Sequence, residues 1–249
     1  MSSKIQTHKP IPGVWELLVD SWNFYIKNFS TTIKTSILFL YVGIVVFLLF
    51  LLTRTNSNFA LMNGIFSFVS GLFTLWIGIR LTVLILRLLN NKKALSAKEE
   101  SRLSLQLIVP FVFINILVAL IVLGGTILFI LPGIYFAVSL TMADLILVDK
   151  GLRGTQALAA SRDLITGRWW PTFGRLFVSG FAYAVLFLAT IGILSFLLAS
   201  ITGISTIETS RDSLIFGLDQ FAQMAVMALL MPLVVGFHIK LYQALVKTR

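Results

Sequence analysis

Long apolar runs separated by short polar segments organise this chain, and their lengths set the first expectation. Runs at about 35–53, 61–89, 107–131, 133–149, 172–201 and 213–246 are each of a length that crosses a hydrocarbon core about 30 Å thick as a helix. Polar punctuation closes them: Thr53-Arg54-Thr55-Asn56-Ser57-Asn58 after the first, Asn90-Asn91-Lys92-Lys93 after the second, Asp149-Lys150-Gly151 after the fourth. Between the third and fourth runs stand only Pro132 and Gly133, with no charge from Leu103 to Met142, which predicts a tight apolar turn. The expected fold is an all-α polytopic transmembrane helix bundle of about six spans, residues 1–249 forming a single integral membrane domain.

Between the runs the periodicity changes. Residues 13–29 place Trp15, Leu18, Trp22, Tyr25 and Phe29 at alternating three- and four-residue steps, with Glu16, Asp20, Asn23 and Lys27 largely opposite. Such a helix lies in the interface plane with its rings at headgroup depth, or docks on the rest of the protein. Residues 154–167 gather Ala157, Leu158, Ser161, Leu164 and Ile165 on one face, and their exit Arg168-Trp169-Trp170-Pro171 adds a basic residue, two interfacial aromatics and a helix-starting proline. Residues 94–106 read as a short polar helix leading into the third run. Setting residue 21 against residue 161 aligns Ser21 with Ser161, Phe24 with Leu164 and Phe29 with Trp169. This suggests a repeated unit of one amphipathic helix and one hairpin, present three times with the segment before the third run.

Composition agrees with lipid as the solvent: of 249 residues 57% are hydrophobic and 12% charged, where a soluble domain carries roughly 25% charged residues. Of the Lys and Arg residues, seventeen fall in the termini and the loops after the second and fourth spans, whereas Arg54 and Arg211 alone mark the opposite loops. Both termini are therefore expected in the cytoplasm of a cell-membrane protein. The net charge of +10 sits at the ends of apolar runs, where anionic headgroups account for it and nucleic acid does not. With no cysteine, disulfides and thiolate chemistry are excluded. Histidines at 8 and 238 alone, no phosphate loop and no triad or HExxH pattern leave no catalytic or metal site, and no cofactor, to expect.

Within the spans two charges need an explanation, because a charged side chain at mid-bilayer costs about 3 kcal/mol or more. Arg80 lies seven residues before Arg87, and Asp144 five before Asp149, both inside the boundary on the basic side. An Arg80–Asp144 ion pair is geometrically open, either as a structural pair or as the lining of a polar cavity; alternatively each group reaches water separately. Gly64, Gly71 and Gly78, at heptad spacing in the second run, form a smooth stripe suited to close helix packing.

The stretches WNFYIKNF, LPGIYFAVSL and LILVDKGLRGTQALAASRDLITGRWWPTFGRL resemble the YciC-like bacterial six-span membrane proteins and the membrane domain that accompanies some glycerophosphoryl diester phosphodiesterases. The resemblance covers nearly the whole chain, most clearly about 125–180. It implies a multi-pass membrane protein and transfers no catalytic residue, since the phosphodiesterase domain has no counterpart here. The functional classes left open are a lipid-contacting scaffold or accessory protein, with membrane lipids and a partner membrane protein as its associates, a small-solute or lipid transporter, and an intramembrane enzyme, in that order. If residues 13–29 lie in the interface, the isolated peptide becomes helical by circular dichroism on anionic vesicles and stays disordered in buffer; a peptide indifferent to vesicles means that the helix depends on protein.

Overall fold

The computed structural model describes residues 10–53, 60–202 and 214–248, so the loops carrying Arg54 and Arg211 and the start of the chain with His8 lie outside the described residues. Among the described residues all regular structure is helical. Six stretches are long and apolar enough to cross a membrane, and the protein is an all-α polytopic bundle.

Helix α1 (Val14–Lys27) turns Leu17, Ser21 and Tyr25 inward and leaves Trp15, Val19, Trp22 and Ile26 exposed. Two apolar faces thus replace the single one expected: one docks on the last helix, the other stays open. The first span combines α2 (Phe29–Ser36) and α3 (Leu38–Thr53), so it begins at Phe29 rather than near residue 35. The second is α4 (Ala60–Leu89).

Helix α5 (Ala97–Leu128) absorbs both the polar segment 94–106 and the third run, correcting the separate short helix expected there. The start is fixed by a capping box: Ser96 Oγ accepts from the Glu99 N–H at 3.3 Å, and the Glu99 carboxylate accepts from the Ser96 N–H at 3.0 Å. No glycine stands between Lys98 and Leu123, and the helix runs on through Pro110 into the apolar run.

The turn after α5 is likewise not at the Pro-Gly pair. Phe129, in extended conformation (φ −161°, ψ 149°), makes the break. Pro132 falls inside the first turn of α6 (Ile130–Leu140), where a missing N–H leaves no helical bond unmade. Gly133 is required for closeness instead. A Cβ there would run into the Thr126 hydroxyl and lie 3.1 Å from the Thr126 Cα, so the α5–α6 hairpin closes only on glycine. The fourth span then breaks at Thr141–Met142 and resumes as α7 (Ala143–Lys150), ending on Gly151 in the left-handed region (φ 71°). The remaining elements are α8 (Gly154–Ile165), α9 (Trp169–Thr202) and α10 (Leu214–Lys247).

Burial sorts the spans. In their most apolar windows the second, fourth and sixth spans are 50%, 50% and 44% buried, against 28%, 6% and 6% for the first, third and fifth, so inner and outer spans alternate along the chain. The leading helix of each unit packs on the unit before it: the first turns of α5 on α4, α8 on α5, α6 and α7, and α1 on α9 and α10. Ser21, Ser104 and Ser161, one from each leading segment, are all 0% exposed. The threefold unit suggested by the sequence is therefore visible as a ring of three. At the basic end the inner spans meet, Gln243 Nε2 donating to Asn90 Oδ1 at 2.9 Å and the Tyr242 hydroxyl to Asp149 Oδ2 at 2.8 Å. Here the main core lies, built on Leu81, Ile85, Met142, Ile146, Phe237 and Leu241. The segment before α1 is pinned by Arg175 of α9, whose guanidinium donates to the Ile11 and Pro12 carbonyls at 2.7 Å each.

The glycine stripe is corrected. A Cβ at Gly64, Gly71 or Gly78 meets nothing within 4 Å, so the stripe packs against no other helix among the described residues. Replacing Gly71 by Ala should raise thermal stability in detergent slightly, by up to about 1 kcal/mol, through lost unfolded-state freedom. Gly133→Ala should lower it by about 1–3 kcal/mol through overpacking; a destabilised Gly71→Ala would return the stripe to a packing role.

Candidate functional site

The charge in the second span finds a partner that the sequence did not suggest. Arg80 Nη2 lies 3.4 Å from Glu100 Oε2, and the two side chains are only 9% and 7% exposed. The Thr35 hydroxyl of α2 donates to the other Glu100 oxygen at 3.3 Å, and the guanidinium carbon sits 4.9 Å from the centre of the Trp76 ring. Because α5 starts at Ala97, Glu100 occupies its first turn beside α4, within reach of an arginine too deep in its span to reach water. Asp144 instead accepts from Asn115 Nδ2 at 3.1 Å, across the α5–α7 contact. The Arg80–Asp144 pair is thus replaced by two separate pairs, each joining an inner span to α5.

Several other polar groups in the spans are closed locally, whereas Trp76 Nε1 and the Tyr183 hydroxyl are buried without a hydrogen-bond partner among the described residues. Asp219 accepts from the Ser195 hydroxyl at 2.7 Å and from Gln223 at 2.9 Å. His238 Nε2 lies 3.3 Å from the Thr141 hydroxyl. At the break in the fourth span the Ser161 hydroxyl of α8 donates to the Ser139 carbonyl at 2.9 Å and accepts from the Met142 N–H at 3.2 Å. In the sixth span Pro232 removes a backbone donor, and in that turn the Tyr25 hydroxyl donates to the Leu229 carbonyl at 3.0 Å. Among the described residues, no group of three or more His, Asp or Glu could hold a metal ion.

One open region is apolar. Between α3 and α4 a cavity of ≈ 250 Å³ is walled by Leu38, Tyr41, Val45, Phe73, Trp76 and Ile77 among others, nearly all of its surface hydrocarbon. Tyr41 (60% exposed), Val45 (52%) and Phe73 (53%) show that its side faces outward. It adjoins a second cavity of ≈ 330 Å³ against α10, with Val46, Leu49, Phe66 and Ser70 shared, and Ser67 and Gln220 adding polar groups. The groove therefore runs from an apolar foot beside the Arg80 node, at Leu38 and Ile77, to a polar head at Ser67, Ser70 and Gln220.

The aromatic anchors divide. Trp15 (75% exposed), Trp22 (50%), Phe29 (38%) and Trp170 (73%) are open as expected, whereas Tyr25 (8%) is buried, its hydroxyl being needed by α10. Trp169 is partly packed, stacked at 5.8 Å on Tyr135 and at 5.2 Å on Phe173, and donates through Nε1 to the Tyr135 carbonyl at 3.2 Å. Sequence reasoning missed Glu100, Asn115 and Gln220. The Ser96-x-x-Glu99 capping box was a legible signal for the first, because it fixes where α5 begins.

Comparison with family models, curated proteins and solved structures finds no match for the chain. Removing one member of the buried pair, Arg80→Leu or Glu100→Leu, should cost about 3–5 kcal/mol in thermal or denaturant unfolding in detergent. A double-mutant cycle should show coupling between positions 80 and 100 and additivity between 80 and 144; coupling at 80 and 144 instead would contradict the geometry.

Proposed function

We propose that the protein is a lipid-contacting scaffold or accessory protein of a bacterial cytoplasmic membrane, with both termini in the cytoplasm and kinship to the YciC-like proteins it resembles. The observation that carries this reading is the local closure of three charged groups in the spans: Arg80 on Glu100, Asp144 on Asn115 and Asp219 on Ser195 and Gln223. Charges so paired do not border a water-filled route, while the cavity between α3 and α4 is walled almost wholly by hydrocarbon. The exposed stripe Trp15, Val19, Trp22 and Ile26 on α1 supports lipid contact at the basic interface, and the excess of Lys and Arg on that side supports the orientation.

A transporter is the second reading, favoured by the break at Thr141–Met142 in the fourth span, since transporter sites form at discontinuous helices, and by Pro232 within the otherwise continuous sixth. The absence of native cysteines makes the two readings separable. Single cysteines at Ser139, beside the break in the fourth span, and Ala228, one turn before Pro232, should resist a membrane-impermeant maleimide from both sides. One at Thr166, exposed after α8, should react only once cells are permeabilised. Labelling of positions 139 and 228 from opposite sides would establish a water route and favour transport; labelling of position 166 in intact cells would invert the proposed orientation.

A further inference from the structure

We infer that the groove between α3, α4 and α10 is a binding site for a single glycerolipid, one acyl chain filling its apolar foot and the uncharged glycerol-ester region meeting Ser67, Ser70 and Gln220. The inference rests on the lipid-contacting reading and deepens it from general contact to a defined site.

Length comes first. From Leu38 to Leu49 on α3, and from Ile77 to Phe66 on α4, the walls run eleven residues, or about 16 Å at 1.5 Å per residue. That is about half of a 30 Å hydrocarbon core, the depth one acyl chain occupies in its own leaflet. The lining matches the occupant. Around the ≈ 250 Å³ foot almost every surface atom is carbon, and the outward wall of Tyr41, Val45 and Phe73 gives a chain lateral access from the bilayer.

The opposite end asks for hydrogen bonds. The Gln220 amide is half-buried, and neither it nor the Ser67 hydroxyl makes a hydrogen bond among the described residues, while Ser70 donates only to the Ser67 carbonyl of its own helix at 3.0 Å. At membrane depth such groups are costly unless a ligand or water completes them. An amide and two hydroxyls offer donors and acceptors but no charge, which fits ester carbonyls and glycerol oxygens rather than a phosphate. Asp219, the residue before Gln220, does not change that balance, because both its oxygens are taken by Ser195 and Gln223. A second helix, from another copy or another protein, fits less well: the foot is a slot between two adjacent helices, and its polar end lies where α3, α4 and α10 meet.

Native mass spectrometry of the full chain, released gently from its own membrane, tests the assignment. The wild-type protein should retain one glycerolipid, identified by its mass and fragment acyl chain. Val45→Trp, which fills the foot from an exposed position, and Gln220→Leu, which removes the polar head, should each lower the retained fraction at least several-fold, with thermal unfolding showing that both variants fold. Phe177→Trp on the outer face of α9, 62% exposed, should retain it as wild type does. Equal retention in all variants overturns the groove as the site while leaving general lipid contact, which the cysteine labelling tests, in place. Wild-type protein carrying no lipid, or a second copy lost on Val45→Trp, overturns the assignment as well.

Discussion

A charged guanidinium that cannot reach water must be met inside the protein, and the placement of Arg80 makes this the constraint on which the first half of the fold turns. Its partner Glu100 sits in the opening turn of α5, so the pair pins the start of the third span to the second, and Thr35 draws α2 into the same node. The cost of burying both charges is offset only while each keeps its partner. The same logic recurs without full charges. Ser161 of α8 meets the backbone where the fourth span breaks, and Tyr25 of α1 meets a carbonyl in the turn of Pro232. In each of three places a leading segment brings a polar side chain to the inner span of the preceding unit, which is how short amphipathic helices come to organise long apolar ones.

This arrangement explains why packing is uneven. Near the basic end, inner spans and leading helices bury Leu81, Ile85, Leu147, Ile239 and Leu241 almost completely. Away from it, nothing polar joins α3 to α4 above Trp76 among the described residues, and lipid tails are as apolar as the side chains, so no hydrophobic force closes the gap between them. The groove is therefore the stretch along which no polar contact among the described residues draws the two helices together. Gly43 and Gly217 hold α3 against α10 instead: a Cβ on Gly43 would fall 2.9 Å from the Met224 Cβ, and one on Gly217 would collide with the Phe50 ring.

The spans and their order were legible in the sequence because run length against bilayer thickness is a strong, local signal. The repeat was legible only faintly, since three leading segments need share no more than a buried small polar residue, as Ser21, Ser104 and Ser161 do. Partners were not legible: Arg80 lies 20 residues from Glu100 and 64 from Asp144, and hydropathy cannot choose between them. Helix continuity decides it, through the Ser96 cap. The glycine stripe misleads for a related reason, because heptad spacing shows that a face is smooth and not that anything lies against it. Tyr25 falls among the lipid anchors by periodicity alone, which does not distinguish a ring at the headgroups from one whose hydroxyl bonds the backbone of another helix.

The break in the fourth span and the proline within the sixth carry the sharpest mechanistic distinction. In a transport site, unwound backbone faces a cavity, and its unpaired carbonyls are the ligands. Here the break at Thr141–Met142 is occupied from one side by Ser161, itself 0% exposed, and from the other by His238. In the turn of Pro232 the Tyr25 hydroxyl bonds the Leu229 carbonyl, whereas the carbonyl that the proline deprives of its helical donor is that of Ala228. Groups already completed by side chains have little left to offer a solute. The three inner helices meet instead through side chains, Asn90 with Gln243 and Asp149 with Tyr242, while the side chains of Ser67 and Gln220 stay unbonded among the described residues at the lipid-facing groove.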